Sequence, residues 1–147
     1  MVVSYERVIE EFLQKVTEFR LLELPASTRD RIVRGYMISA ISDFAKKCRE
    51  PLAGYDDDEQ TITMQNEIDE DEFANIISEG MVYYWFKQHM NNQENLANLL
   101  NTTDFSSYSP AELLKQVKAS YDQCRKNFTN LLREYTYEHG DLTDLHV

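Results

Sequence analysis

From Ile68 to Asn91 the chain reads IDEDEFANIISEGMVYYWFKQHMN, and this stretch limits the possible folds more than any other. Asp69 is placed to cap a helix, and Glu72 three residues on completes a D-x-x-E capping box. Ile68 before the cap and Phe73 in the first turn have the spacing of a hydrophobic staple. Phe73, Ile76, Ile77, Gly80, Met81, Tyr84 and Trp85 then recur at helical spacing. Val82, Tyr83 and Phe86 fall outside that stripe, so the second half of the helix is apolar nearly all round. Such a helix must be covered on several sides, by its own domain or by another chain. Gly80 inside it costs about 1 kcal/mol against Ala, which implies the close approach of another helix or a bend.

Three more amphipathic segments surround it. Ser4 can cap a helix through about Phe19, with Tyr5, Val8, Ile9, Phe12, Leu13, Val16 and Phe19 on one face. Ser27 or Thr28 can cap a second, running to about Cys48, with a stripe from Ile32 and Val33 through Tyr36, Met37, Ala40 and Ile41 to Phe44 and Cys48. Pro51 and Gly54 end it. Beyond Asn91 a short turn, Gln93 to Leu100, faces Leu96, Leu99 and Leu100 inward, and Phe105 and Tyr108 pin the polar loop that follows. Ser109, Pro110 and Glu112 combine a capping box with Pro at the first helical position. Leu113, Leu114, Val117, Tyr121, Cys124, Phe128, Leu131, Leu132 and Tyr135 carry that stripe to Gly140, a C-terminal cap. About 30 residues of helix span about 45 Å, more than the width of so small a domain, so part of it should project or meet another chain. The expected fold is one all-α domain over residues 1–147: four main helices, a long C-terminal helix and a short extended arm or tail. Phe12, Ile41, Trp85 and Leu114 should be buried.

Charge is concentrated. Ten of the 26 acidic residues lie between Glu50 and Glu72, with no Lys or Arg among them, which leaves 16 acidic against 15 basic elsewhere. The net charge of −11 makes non-specific nucleic-acid binding poor, since that binding needs Lys and Arg to displace counterions. Residues 50–68 read as an acidic loop or arm, in which Thr61–Met64 form one short strand lacking a partner in this chain. That strand would pack on a helix or pair with another subunit. Asp56, Asp58, Gln60 and Glu67 also fall on the ligand positions of an EF-hand loop, but Thr61 stands where the loop needs glycine. Cys48 and Cys124 read as small core residues. The start, MVVSYERV, lacks the pattern of a secretory signal, and no run approaches the roughly 18 apolar residues of a membrane span.

Catalytic chemistry is not legible. His89, His139 and His146 lack metal-site spacing, there is no phosphate-binding glycine loop and no nucleophile elbow. Neither an enzyme nor a cofactor is expected.

One pattern is more specific. The segment MVYYWFKQHMNNQENLANLLNTTDFSSYSPAELLKQVKASY, followed by LLREYTYEHGDLTDLH, resembles a family of small proteins encoded after the capsid gene of tailed bacteriophages, the head–tail connector (adaptor or head-completion) proteins. The matching features are the apolar third helix ending in W-F-K, the N-N-x-E-x-L turn, the D-F-S-x-x-S-P-A-x-L-L-K start and the Y-x-Y-x-x-G-D-L-x-x-L-H tail. The resemblance implies a helical bundle that forms a ring, typically of about twelve copies, in the virion neck between portal and tail. Such a protein is made in the host cytoplasm. Its partners are the portal protein, identical subunits, and the tail or a second neck protein. DNA passes through without sequence-specific binding, and no membrane is involved.

Site expectations follow from that resemblance. Portal docking falls to Tyr135, Tyr137, Gly140, Asp141, Leu142, Leu145 and Val147, where Gly140 permits a change of direction and the apolar residues suit an added strand. Subunit contacts fall to Tyr83, Tyr84, Phe86, Ile62 and Met64. Asp56, Asp57, Asp58 and Glu59 suit an acidic channel surface that repels phosphate. A tail-completion or terminator ring, and a soluble helical regulator with one protein partner, are the alternatives.

Overall fold

The computed structural model describes residues 1–16, 26–91 and 110–139. In chain order these form β1 (Val2–Ser4), α1 (Tyr5–Lys15), α2 (Ala26–Lys47), β2 (Leu52–Asp56), β3 (Thr61–Met64), α3 (Glu70–Asn91) and α4 (Pro110–His139). The protein is mostly helical, but the all-α expectation is corrected by a three-stranded antiparallel sheet of order β1–β3–β2.

β3 therefore has two partners within its own chain. Val3 lies opposite Ile62 on one side and Tyr55 opposite Ile62 on the other. The register shifts between Leu52 and Gly54, and Gly54 adopts φ +154°, a backbone conformation in which a Cβ would be strained. Alternation sends Val3, Ile62 and Met64 into the single buried cluster shared with the helices. Ser4 ends β1 and caps α1 at once: its Oγ accepts from Arg7 N at 3.3 Å, while Tyr5 N donates to the Gln60 carbonyl at 2.8 Å.

α3 is the central element and packs against α1, α2 and α4. Its cap is as expected: the amides of Asp71 and Glu72 donate to Asp69 Oδ1 at 2.9 and 3.1 Å. Ile68 and Phe73 are both buried beside it. Val82, Trp85 and Phe86 are buried with the main stripe, so the all-round apolar helix is covered by its own chain. Gly80 marks a close approach, since a Cβ there would stand 2.7 Å from Phe128 Cζ and 2.8 Å from Ala40 Cβ.

The helix limits differ in detail from the sequence reading. α2 already begins at Ala26, so Ser27 and Thr28 lie inside its first turn. α4 begins at Pro110 and ends at His139 as expected. Phe19, the Gln93–Leu100 turn, Phe105, Tyr108, Ser109 and the tail from Gly140 lie outside the described residues, as does the Leu114 side chain. Phe12, Ile41 and Trp85 are buried. Cys48 and Cys124 are free and only half-buried, a correction to their reading as core residues. Burial nonetheless pushes both thiols up, that of Cys124 to about 11.

Candidate functional site

Where the first half of α2 lies along the last turns of α3, the two helices leave an open cleft of about 510 Å³. Four-residue spacing builds its α2 wall: Arg31, Gly35 and Ser39 form one row, Ile32 and Tyr36 the next. Tyr84, Lys87 and Gln88 close it from α3. Two tyrosine hydroxyls in the walls are already engaged. Tyr36 donates to Gln88 Oε1, and Tyr84 donates to Asp43 Oδ2. Burial pushes the Tyr36 hydroxyl up to about 12, and burial with the Asp43 carboxylate raises that of Tyr84.

Lys87 stands on the ridge of α3, its Nζ 6.0 and 5.7 Å from the ring centroids of Tyr83 and Tyr84. Tyr83 faces the other way, stacked on Tyr121 of α4 at 5.6 Å. Among the described residues, no carboxylate lies in ion-pair range of Arg31 or Lys87. The cleft offers two exposed cations over a wall of aromatic rings and committed hydroxyls, and the described residues of its lining include no His, Cys, Asp or Glu. It has the chemistry to hold an anionic group.

The acidic segment is a hairpin, not a loop. Its turn is internally braced, because the amides of Asp58 and Glu59 donate to Asp56 Oδ1 at 3.0 and 3.1 Å. Asp57 receives a forked pair from Arg34 of α2, Nε to Oδ1 at 2.8 Å and Nη2 to Oδ2 at 2.7 Å, and Tyr5 Oη donates to it at 2.9 Å. Arg34, then Tyr5, hold its carboxyl below the usual range. Asp56 and Asp57 thus serve the chain's own fold, and Asp58 and Glu59 keep exposed side chains. The EF-hand register runs through this turn and along β3, which separates Asp56 and Asp58 from Glu67 by an extended strand.

A third cluster closes the far end of α4. His139 Nε2 lies 3.3 Å from Glu72 Oε2 and 4.0 Å from Glu138 Oε2, and the imidazole stacks on Tyr135 at 4.3 Å. The ligand atoms of half-buried Glu72 and of exposed Glu138 and His139 all lie within 4.8 Å of one another, an arrangement able to meet a divalent cation.

The expected site residues separate accordingly. Ile62, Met64 and Phe86 are buried in the chain's own core and present no surface to a neighbouring subunit as arranged here. Ile62 and Met64 are consumed because β3 finds partners in β1 and β2. Tyr83 and Tyr84 remain half-exposed, Tyr84 in the cleft and Tyr83 on the α4 side of α3. Tyr135, expected to face the portal, is corrected to a core residue: it packs on Phe44 and its hydroxyl donates to Glu50 Oε1 at 2.8 Å. Tyr137 is 76% exposed. Gly140, Asp141, Leu142, Leu145 and Val147 lie outside the described residues. Sequence reasoning missed Arg31, Gly35 and Ser39, although their spacing on the polar face of α2 was available as a signal.

No helix among the described residues is long and apolar enough to cross a membrane. Comparison with protein-family models, with curated proteins and with solved structures returned no match. The geometry itself defines a mostly helical domain with a small sheet and a cation-bearing cleft.

Proposed function

We propose that this chain is a structural assembly protein and not an enzyme: a head–tail connector of the adaptor or head-completion type. It forms a ring between portal and tail and extends the channel through which DNA passes. The observation that carries this reading is the sequence pattern from Met81 to Tyr121 and from Leu131 to His146, which resembles that family. The surface is compatible with the role. α4 spans about 45 Å and is exposed at most positions from Lys118 to Asn127, a face free for a neighbour. Tyr83 and Tyr84 lie half-open beside Lys87, a pairing of aromatic and cation that suits a protein contact. The concentration of acid between Glu50 and Glu72 suits a surface that DNA must slide past.

The partners are then the portal protein, the tail or a second neck protein, and further copies of this chain. The place of action is the neck of the virion after synthesis in the host cytoplasm, with no membrane and no cofactor. Imaging virions that carry a labelled copy of the protein tests this directly. A ring of labelled density beneath the portal is expected, and a neck without this chain would refute the reading.

A further inference from the structure

We propose that the acidic hairpin turn of one copy seats in the α2–α3 cleft of the next, with Asp58 and Glu59 meeting Arg31 and Lys87. This deepens the assembly reading and rests on it. The first reason is charge. Arg31 and Lys87 are exposed cations with no carboxylate in range, and Asp58 and Glu59 are exposed carboxylates with no cation in range among the described residues. On a chain of net charge −11, two unpaired cations at the mouth of one cleft are conspicuous, and the matching anions lie on one turn.

The second reason is placement. Arg34 holds Asp57 and so fixes the turn on its own flank of α2. Gly35, the next residue, lines the cleft and points about 100° further round the helix axis. The fork from Arg34 holds a chain's own turn against α2, and among the described residues neither Asp58 nor Glu59 pairs with Arg31 or Lys87 of its own chain, so the complementary surfaces can meet between two copies. Donor and acceptor surfaces on different flanks of one helix make a head-to-tail contact, the kind that closes into a ring. The third reason is preorganisation. Asp56 braces the amides of the turn and Asp57 ties it down, so Asp58 and Glu59 are presented without further ordering of the backbone. Exposed ion pairs contribute little each, and the shared negative charge opposes association, so the contact is weak between free copies and effective where a partner holds them side by side.

Cysteine trapping reads a weak contact of this kind. A Cβ at Gly35 meets nothing within 4 Å, so Gly35→Cys is tolerated in the cleft. Purified Gly35→Cys protein is mixed with purified Glu59→Cys protein under mild oxidation, with wild type as the background for Cys48 and Cys124 and circular dichroism as the check on folding. The mixed disulfide dimer is expected to exceed either same-variant dimer severalfold. Adding Arg31→Glu and Lys87→Glu to the Gly35→Cys partner should return it to background, and Asp58→Lys on the other partner should restore it. A statistical mixture of dimers, or trapping indifferent to these reversals, overturns the proposal. The two readings fail separately. Charge-dependent trapping with no label in the virion neck keeps the interface and removes the connector, while a labelled neck ring with background trapping does the reverse.

Discussion

Gly80 shows how one absent methyl sets the spacing of three helices. Its missing Cβ admits the Phe128 ring from α4 and the Ala40 methyl from α2 to positions under 3 Å from where that atom would be. Gly80→Ala gains about 1 kcal/mol of helix propensity. It also overpacks the junction, typically at a cost of about 1–3 kcal/mol, and Ala40 has no rotamer by which to yield. The expected outcome is net destabilisation, read as a lower midpoint in urea with an unchanged slope. The cleft tyrosines make a second prediction. Tyr36 is held protonated to about 12 by burial, against about 10 in an unfolded chain. Because the folded value is the raised one, the stabilisation is whole below about pH 10 and is lost as pH climbs toward the folded value. Melting temperature should therefore fall from about pH 10 upward, and less steeply in Tyr36→Phe; equal slopes would contradict the assignment.

Elements decide the next scale, and the sheet is the instructive one. Its strands are three to five residues long, shorter than any periodicity can identify, and its pairing joins Val2–Ser4 to Thr61–Met64 across more than fifty intervening residues. Local patterning therefore registers Thr61–Met64 alone, while the amphipathic helices, whose pattern lies within each segment, are legible with their caps at Ser4 and Asp69. The Arg34–Asp57 fork ties this sheet to α2. Since the folded Asp57 carboxyl is lowered by Arg34, its contribution is present above the unfolded value of about 4 and disappears as pH falls through the folded one. Arg34→Ala should lower the melting temperature at neutral pH, and the gap from wild type should close in strong acid. A gap of constant size across that range would show that the fork does not stabilise the hairpin.

At the scale of the whole molecule, a helix-dominated circular dichroism spectrum is expected, with a minor strand contribution. Truncation after Gly140 should leave fold and melting temperature unchanged, because the residues that tie α4 down, Phe128, Leu132 and Tyr135, all precede it. On the connector reading the truncated protein fails to join portal-bearing heads, and normal head binding would move the docking surface elsewhere. The candidate site divides along the same line as the fold. Tyr83 and Tyr84 were legible as aromatic residues in excess of one helix stripe, but Phe86, Ile62 and Met64 looked equally available and are buried. Sequence by itself determined what depends on neighbours along the chain: the helix stripes and caps, the concentration of acid in one segment, and the need for cover around α3. Only the tertiary structure decided what depends on distant residues meeting. It found that the cover comes from α1, α2 and α4, that β3 has partners at home, and that Arg34 takes Asp57 while Arg31 and Lys87 are left to frame a cleft. The physical reason is that caps and periodicity act within a few residues, whereas burial and charge pairing are settled by which surfaces the folded chain brings together.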